Sequence, residues 1–391
     1  REVSDMTIED NIIQRTCPVC DHVAARVIFE RDFGGMGSIV PFSRYDVVEC
    51  EHCGAYYADH LAESVPLTQY YEQLSKYETK AFALSKESRE DHEVAVSFLE
   101  EHITPDASVI DIGCGNGTLL YMLKEHGIHN VTGLEPSEKN CRAIEERWGI
   151  RAVSGVLGEN IPALANEKFD LVVMKGVLEH LLDVKESVAQ ALHYVVKGGQ
   201  FCIIVPDVSA FPHCVDLYQQ FSVEHVNFFS LTSLGNLMRG FGMICTAHRT
   251  HGEALYSLWQ KSDECTANIR FDAAGAASMH EYLARAKTLG TQIAHRIAPL
   301  KGAKVAVWAA GTHTAMLYQL GLLDDVRVEV IIDSNANYQG KRIFGIPVGA
   351  PEQLRAYPQL PVIVSSQNAQ DPIRRQITEQ MHLPNPVVTL Y

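Results

Sequence analysis

The amino-acid sequence predicts an α/β fold whose core is a parallel sheet flanked by helices. Residues 109–117 begin with β-branched side chains, pass through Asp111 and end in three glycines separated by single residues. A helix-forming run at 118–126 follows directly. This pattern predicts a buried strand that ends at Asp111, a sharp turn, and a helix that begins near Gly117. Glycines in such a turn indicate that a ligand lies against the backbone, where a Cβ atom would clash.

Three later apolar runs agree with this alternation of strands and helices. The run at 131–136 predicts a second strand that ends in an acid, Glu135, 24 residues after Asp111. An acid at the tip of the second strand of a βαβ unit can accept hydrogen bonds from two ribose hydroxyls. The runs at 169–174 and 195–204 predict two more strands. The third glycine of the turn comes too early for the Gly-x-Gly-x-x-Gly motif of dinucleotide sites.

These motifs resemble those of the class I S-adenosylmethionine (SAM) methyltransferases, which have a Rossmann-like core. Residues 111–117 are close to the family's D-x-G-C-G-x-G motif, and residues 178–180 resemble its LEH segment after the fourth strand. Residues 195–204 match the turn before its fifth strand, without the family's proline. The resemblance implies SAM as the cofactor. The cofactor-binding residues that it implies are Asp111, Gly113, Cys114, Gly115, Gly117, Glu135, Pro136, Lys175, Glu179 and His180.

Length and composition narrow the class of protein. A chain of 391 residues is long enough for two or three domains. Its net charge of −15 argues against a nucleic-acid partner, because such binding relies on Lys and Arg to neutralise phosphates. No apolar run approaches the length of a membrane span, and no signal-peptide pattern opens the chain. Ten cysteines without a secretory segment favour a reducing compartment. We therefore expect a cytoplasmic enzyme that acts on a small molecule, with no nucleic-acid or membrane partner.

The amino-terminal segment carries two C-x-x-C pairs about thirty residues apart. The four cysteines are Cys17, Cys20, Cys50 and Cys53. Pairs with this spacing can close a tetrahedral thiolate site around zinc, and a site filled by four protein ligands is structural rather than catalytic. The sequence therefore predicts a four-cysteine zinc ribbon. His52 and His60 are less favoured substitute ligands, and unrelated buried thiols or a redox pair are the alternative interpretation.

The motifs divide the chain into three predicted domains. Residues 1–64 form the ribbon, residues 65–262 the methyltransferase domain, and residues 263–391 a smaller α/β domain. Helix 231–239 and an antiparallel strand pair at 242–251 and 254–259 are expected to complete the methyltransferase domain. At its start, residues 65–103 are predicted to be mostly helical, either as a lid over the cofactor pocket or as a helix whose Tyr70 and Tyr71 only pack.

The carboxy-terminal domain has the alternation of a second Rossmann-like unit. Its turn at 309–314 contains one glycine where a dinucleotide site requires three, so an NAD site is not expected. The helix that starts after Gly311 could hold a substrate phosphate through its free amides. A packing domain without a ligand is the alternative.

The order of ribbon, SAM-binding core and α/β domain resembles the sugar C-methyltransferases, which act on nucleotide-diphosphate 4-keto-6-deoxyhexoses. Their segment Y-x-E-H-x-S-Y-F-S corresponds here to residues 222–230, where Glu224 and His225 match and Ser222 replaces the tyrosine. A second family tyrosine, ahead of the core, corresponds to Tyr77. The family's lysine in the carboxy-terminal turn is absent here. We therefore expect this chain to share the architecture and the cofactor of that family, more than its substrate.

Methylation of carbon requires a carbanion equivalent, which a ketone next to the target carbon provides by enolisation. His225 is the predicted base, because histidine titrates near the operating pH. Tyr77 is predicted to donate a hydrogen bond to the enolate oxygen, and Glu224 to orient the substrate or the imidazole. A structural role is the alternative for His225. The alternatives for the whole protein are an O- or N-methyltransferase on another small metabolite, a non-catalytic SAM-binding protein, and a bifunctional enzyme that also reduces the ketone.

Overall fold

The computed structural model describes residues 11–67, 70 and 86–391, and the strands in this part of the chain form three sheets. The first is antiparallel, in the order β1-β4-β3-β2. Its strands are β1 (Asn11–Ile13), β2 (Ala25–Asp32), β3 (Phe42–Cys50) and β4 (Tyr56–Glu63). A 3₁₀ helix at Gly34–Ile39 joins β2 to β3.

The second sheet has seven strands in the order β11-β12-β9-β8-β5-β6-β7. The strands are β5 (Val109–Ile112), β6 (Val131–Glu135), β7 (Arg151–Ser154), β8 (Phe169–Lys175), β9 (Val195–Pro206), β11 (Met243–His251) and β12 (Ala254–Lys261). Strand β12 runs antiparallel to both neighbours, whereas the remaining pairs are parallel. This order with one reversed strand is that of the class I SAM methyltransferase fold, so the predicted Rossmann-like core is confirmed. The antiparallel pair at its edge was also predicted correctly.

Helices cover both faces of this sheet. They are α1 (Lys86–Glu100), α2 (Thr118–Glu125), α3 (Glu138–Trp148), α4 (Val184–His193) and α5 (Leu231–Arg239). Short 3₁₀ helices lie at Pro162–Leu164, Leu178–His180 and Val208–His213. Within the predicted helical region 65–103, the described part contains α1, while residues 68–69 and 71–85 lie outside the described residues. Strand β10 (Asn227–Phe228) leaves this layer and pairs with β4 of the first sheet.

Local sequence signals set several helix boundaries. The Ser137 side chain accepts a hydrogen bond from the Asn140 amide at the start of α3, and left-handed Gly149 ends that helix. Ser230 and Ser233 form a reciprocal cap at the start of α5. These caps satisfy backbone groups that a helix end leaves without intrahelical partners.

The third sheet has the order β15-β16-β14-β13-β17-β18 and is parallel except for β15. Its elements are α6 (Ala273–Ile297), β13 (Lys304–Trp308), α7 (Thr312–Gln319), β14 (Arg327–Ile332), β15 (Arg342–Ile343), β16 (Ile346–Gly349), β17 (Val362–Val364), α8 (Gln370–Arg375) and β18 (Val387–Thr389). Short helices lie at Ala298–Leu300, Pro351–Ala356 and Gln376–Gln380.

Two buried clusters join the three sheets. One contains Phe33 and Tyr45 of the first layer, Phe221 of the second, and Tyr282 of α6. The other joins the amino-terminal cysteines to one face of the central sheet. The first sheet therefore packs against both other layers, and these also contact each other directly, through α6 and the 3₁₀ helix at Val208–His213. No helix in the described ranges is long and apolar enough to cross a membrane.

A buried histidine lies in the carboxy-terminal layer at the start of α7. His313 Nδ1 lies 2.8 Å from Ser365 Oγ, and its Nε2 lies 2.5 Å from the Tyr391 hydroxyl. Burial and, second, the charge of Arg31 lower the pKa of His313 to about 4. The imidazole is therefore neutral in the folded protein, whereas it takes up a proton in the unfolded chain below pH about 6.5.

This difference predicts a specific loss of stability in acid. As the pH falls from about 6.5 towards 4, protonation of His313 in the unfolded chain alone lowers the free energy of unfolding by about 3 kcal/mol. Urea denaturation between pH 6.5 and 4 should show this additional decrease in the free energy of unfolding in wild-type protein. The decrease should be absent in His313→Gln. His295→Gln, an exposed change in the same layer, should retain it. Equal pH dependence in wild type and His313→Gln would contradict the assignment.

Candidate functional site

The glycine turn after β5 has the backbone that its sequence predicts. Gly113, Gly115 and Gly117 have φ values of 73°, 56° and 73°, in the left-handed region that favours glycine. A Cβ at Gly113 would lie 2.6 Å from Val177 Cγ2, and one at Gly117 would lie 2.8 Å from Ile144 Cγ1. A Cβ at Gly115 would meet nothing within 4 Å. The outer glycines are therefore required by packing, and the middle one leaves an open approach to the backbone.

The acid at the end of β6 is tied to this turn. Glu135 Oε2 accepts a hydrogen bond of 3.0 Å from the Gly115 amide, and Oε1 accepts one of 3.2 Å from the Ser137 amide. Burial raises the pKa of Glu135, although these hydrogen bonds oppose the shift. Pro136 follows on the exposed side. The structure thus brings the predicted loop and the predicted ribose acid together.

Asp111 and Cys114 are buried beneath the turn. Burial raises the pKa of Asp111 to about 7, and the charge of Lys175 opposes this shift. Within the described part of the chain, Asp111 Oδ1 has no hydrogen-bond partner. Cys114 faces inward, since its sulfur would lie 2.6 Å from a Cβ placed on Gly133. Cys114 therefore has a packing role, whereas Asp111 presents an acceptor that suits a cationic ligand.

A cavity of about 920 Å³ opens beside the carboxyl ends of β8 and β9. Helix α1, the turn between β11 and β12, and three of the predicted residues line it: Lys175, Glu179 and His225. Lys175 Nζ forms an ion pair of 2.6 Å with Asp91 of α1. The glycine turn and Glu135 lie outside this lining. The cavity and the turn are linked through Val177, against which Gly113 packs.

Two loops that carry predicted site residues are joined by hydrogen bonds. His180 Nδ1 donates to the Glu224 carbonyl at 3.1 Å, and the Val226 amide donates to the Glu179 carbonyl at 2.8 Å. Asn227 Nδ2 donates to the Leu178 carbonyl at 3.0 Å. The rings of His180 and His225 meet edge to face, with centroids 4.8 Å apart. These contacts hold His225, which lines the large cavity, against the buried ring of His180.

Glu224 and His225 face different cavities. His225 lines the large one, while Glu224 lines a second cavity of about 270 Å³, together with Gly311, Thr312 and Lys341 of the carboxy-terminal layer. Their segment is irregular, and Ser222 Oγ accepts hydrogen bonds from both amides, at 3.3 and 3.0 Å. Neighbouring side chains on a strand point in opposite directions, and here the irregular backbone directs Glu224 and His225 into separate cavities.

Of the tyrosines ahead of the core that the sequence analysis named, only Tyr70 is among the described residues. The Tyr70 hydroxyl donates to Glu224 Oε1 at 2.7 Å. The sequence predicts only a packing or lid role for Tyr70. The position of Tyr70 in the chain does not indicate its hydrogen bond to Glu224. Tyr77 and Tyr71 lie outside the described residues.

The four amino-terminal cysteines come together at one end of the first sheet. Their sulfurs all lie within 4.8 Å of one another, with Cys17–Cys53 and Cys20–Cys50 distances of 3.6 Å. A tetrahedral zinc thiolate site has sulfur–sulfur separations of about 3.8 Å. Hydrogen bonds from the Cys17 and Cys53 thiols lower the pKa of Cys50, because they stabilise its thiolate. The donor set and its geometry fit zinc.

Residues 85–248 match the sequence model of a family described as "Methyltransferase domain", which covers less than half of the chain. A ubiquinone biosynthesis O-methyltransferase of Methylobacterium nodulans is 39% identical over 100 residues, which are 24% of this chain and 39% of that protein. A tRNA U34 carboxymethyltransferase of Vibrio atlanticus is 33% identical over 140 residues, 33% of this chain and 42% of that protein. The chain thus spans about two fifths of the length of these two relatives.

One solved structure with a similar fold is a 1,6-didemethyltoxoflavin-N1-methyltransferase of Burkholderia thailandensis, with 1,6-didemethyltoxoflavin and S-adenosylhomocysteine bound. It is 21% identical, has a TM-score of 0.40, and the similarity covers 50% of this chain and 88% of that protein.

Proposed function

We propose that the protein is a SAM-dependent methyltransferase that methylates a carbon next to a ketone. The observation that carries this proposal is the position of His225, a potential base at the wall of a cavity of about 920 Å³ in a class I methyltransferase core. A cavity of this size can hold a small substrate beside the cofactor site proposed at the glycine turn. The acidic net charge of −15 favours a small molecule over a nucleic acid as the acceptor.

The cofactor site is proposed at the glycine turn. Gly115 leaves space against the backbone, Glu135 is placed to accept hydrogen bonds from ribose hydroxyls, and the Asp111 carboxylate suits the ammonium group of SAM. When bound there, SAM supplies an electrophilic methyl group. Lys175 and Glu179 line the adjoining cavity, with His180 packed behind them against His225, and Lys175 neutralises part of the acidic charge.

His225 then acts on the acceptor. Its ring nitrogen takes the proton from the carbon next to the carbonyl, and the electron pair of the broken C–H bond moves to the carbonyl oxygen. The resulting enolate returns that pair to carbon as the new C–C bond forms, and the C–S electron pair stays on the departing sulfur. A hydrogen-bond donor steadies the enolate oxygen, the role proposed for Tyr77.

A nucleotide-diphosphate 4-keto-deoxysugar is the proposed substrate. Its support is the resemblance of the Glu224-His225 segment and the position of the carboxy-terminal layer against it. The amides at the start of α7, after Gly311, could hold a phosphate, and Lys341 from the loop after β14 supplies a cation that the turn itself lacks. Glu224 would orient the sugar from the smaller cavity.

O-methylation is the second candidate. It is favoured by the 39% identity to a protein named as a ubiquinone biosynthesis O-methyltransferase. Such a reaction requires the same core and at most a base, without enolisation. The two candidates therefore differ in whether a carbon-bound hydrogen of the acceptor exchanges with solvent.

The four-cysteine cluster is proposed to hold a structural zinc ion. We expect about one zinc per chain in protein prepared without chelators. Cys17→Ser and Cys53→Ser should lose that zinc and unfold at lower temperature, because metal-binding energy is also folding energy. Cys265→Ser, a change outside the cluster, should keep the zinc. Wild-type protein without zinc by mass spectrometry would contradict the assignment.

The ribose role of Glu135 predicts a defined loss of affinity. Glu135→Ala should weaken SAM binding by about 1.5–3 kcal/mol, the value of a hydrogen bond to a charged group. Isothermal titration calorimetry should find wild-type affinity in Glu146→Ala, an exposed change on α3. Because Glu135 also holds the Gly115 amide, circular dichroism should confirm that the variant is folded. Unchanged SAM affinity in folded Glu135→Ala would refute the role.

The base role of His225 predicts that His225→Asn keeps SAM affinity while turnover falls by about 10²–10⁴. With S-adenosylhomocysteine bound, wild-type enzyme should exchange a substrate α-hydrogen with deuterated water, and the variant should not. His129→Asn, an exposed change remote from the cavity lining, should behave as wild type.

Retained exchange and turnover in His225→Asn would show that another residue is the base, with Tyr77 the next candidate. Turnover without exchange in wild-type protein would favour O-methylation.

A further inference from the structure

We propose that Glu179, His180 and His225 form a second metal site, which takes a divalent ion of the zinc class at the wall of the large cavity. One ring nitrogen from each histidine and one carboxylate oxygen lie within 4.8 Å of one another. Glu179 Oε1 lies 3.9 Å from His180 Nε2. Two imidazoles and a carboxylate are ligands that Zn²⁺, Fe²⁺ and Co²⁺ accept, whereas Ca²⁺ and Mg²⁺ prefer oxygen ligands alone.

The hydrogen bond from His180 prepares its other nitrogen for a metal. Its Nδ1 lies 3.1 Å from the Glu224 carbonyl oxygen, which can only accept a hydrogen bond, so Nδ1 carries the proton. The neutral ring then has its lone pair on Nε2, the atom nearer Glu179. Histidines that bind metals usually donate their second N–H to a carbonyl or carboxylate in this way, which fixes the ring orientation.

Glu179 supplies an independent indication. The residue is only 3% exposed, and its Oε2 has no hydrogen-bond partner within the described part of the chain. A buried carboxylate oxygen without a partner is costly, and a coordinated cation would remove that cost.

The cluster can close around an ion by small movements. Tetrahedral ligands at about 2.1 Å from zinc are separated by about 3.4 Å, so the donor atoms must approach one another by about 1 Å. His225 is half-buried on an irregular segment, which allows this shift more readily than a strand would. Glu179 and His225 both line the cavity, so the remaining coordination position would face the substrate.

Metal binding and proton removal compete for the same group. A ring nitrogen of His225 that binds a metal has no lone pair for a proton, so zinc at this site should inhibit enolisation. This consequence rests on the proposed function, whereas the metal site does not. The two can therefore be tested separately.

The test is a zinc titration of full-length, folded protein whose four-cysteine cluster is already loaded. Calorimetry should find one additional equivalent of Zn²⁺ per chain in wild-type protein. Glu179→Gln and His180→Gln should each weaken this second binding event by about tenfold or more. His251→Gln, which removes a histidine of the same cavity outside the cluster, should bind the second equivalent as wild type does.

Cobalt substitution provides a second measurement and a control for folding. Co²⁺ bound to the four cysteines gives intense thiolate charge-transfer bands, and these should persist in Glu179→Gln and His180→Gln. The second Co²⁺ should add weak d–d bands in wild-type protein and His251→Gln alone. A wild-type protein that takes up no second equivalent of metal would overturn the site. Binding of the second ion with wild-type affinity by folded Glu179→Gln and His180→Gln would overturn it as well.

The deuterium-exchange assay separates this result from the proposed function. Exchange in protein with zinc at the four-cysteine cluster alone, together with no uptake of a second zinc, would leave His225 as the base and reject the metal site. Binding of a second zinc, combined with no exchange in protein that lacks this second ion, would support the metal site and reject the enolisation mechanism.

Discussion

The arrangement of the site depends on the hydrogen bonds between the turn after β8 and the loop after β9. The Val226 amide donates to the Glu179 carbonyl, and Asn227 donates to carbonyls of the 178–181 turn. His180 donates in the opposite direction, to the Glu224 carbonyl. Because these buried backbone groups need partners, the two loops cannot separate without leaving polar atoms unsatisfied, although small shifts of the side chains keep these bonds. The segment that places His225 at the cavity wall is therefore held against His180 by hydrogen bonds as well as by packing.

The amino-terminal sheet also holds the loop after β9 in place. Arg15 donates to the Val226 carbonyl and, at 2.7 Å, to Asn227 Oδ1, and β10 pairs with β4. Burial lowers the pKa of Arg15 to about 10, so the guanidinium remains charged at neutral pH. A buried charge of this kind is stable only when its donors are satisfied. Loss of structure in the amino-terminal sheet would thus disturb the loop that carries Glu224 and His225. The structural zinc proposed for the four cysteines would therefore also support the proposed base.

The sequence predicted what depends on local patterns and missed what depends on contacts between layers. The glycine turn, Glu135 and the four cysteines are set by short spacings, because a turn or a metal cage constrains neighbouring residues directly. By contrast, nothing in the spacing of Tyr70 predicted its hydrogen bond to Glu224, which spans 154 residues. The separation of Glu224 and His225 into two cavities depends on where the carboxy-terminal layer packs. The cofactor, metal and catalytic roles of the predicted residues remain predictions, and Tyr77 lies outside the described residues.

The buried acidic groups of the site favour a positively charged ligand. Asp111 and Glu179 are buried, and burial raises the pKa of each to about 7. Lys175 is the cation that opposes both shifts, yet it also forms an ion pair with Asp91. The two buried carboxyls therefore share one cation whose charge is partly neutralised. A ligand with a positive charge is favoured at such a site, because it lets the carboxyls ionise without the cost of an isolated buried charge. SAM carries a sulfonium and an ammonium group, whereas S-adenosylhomocysteine has lost the sulfonium charge. If SAM binds at the proposed site, this acidic environment would favour the charged methyl donor over the product, whose sulfur is neutral.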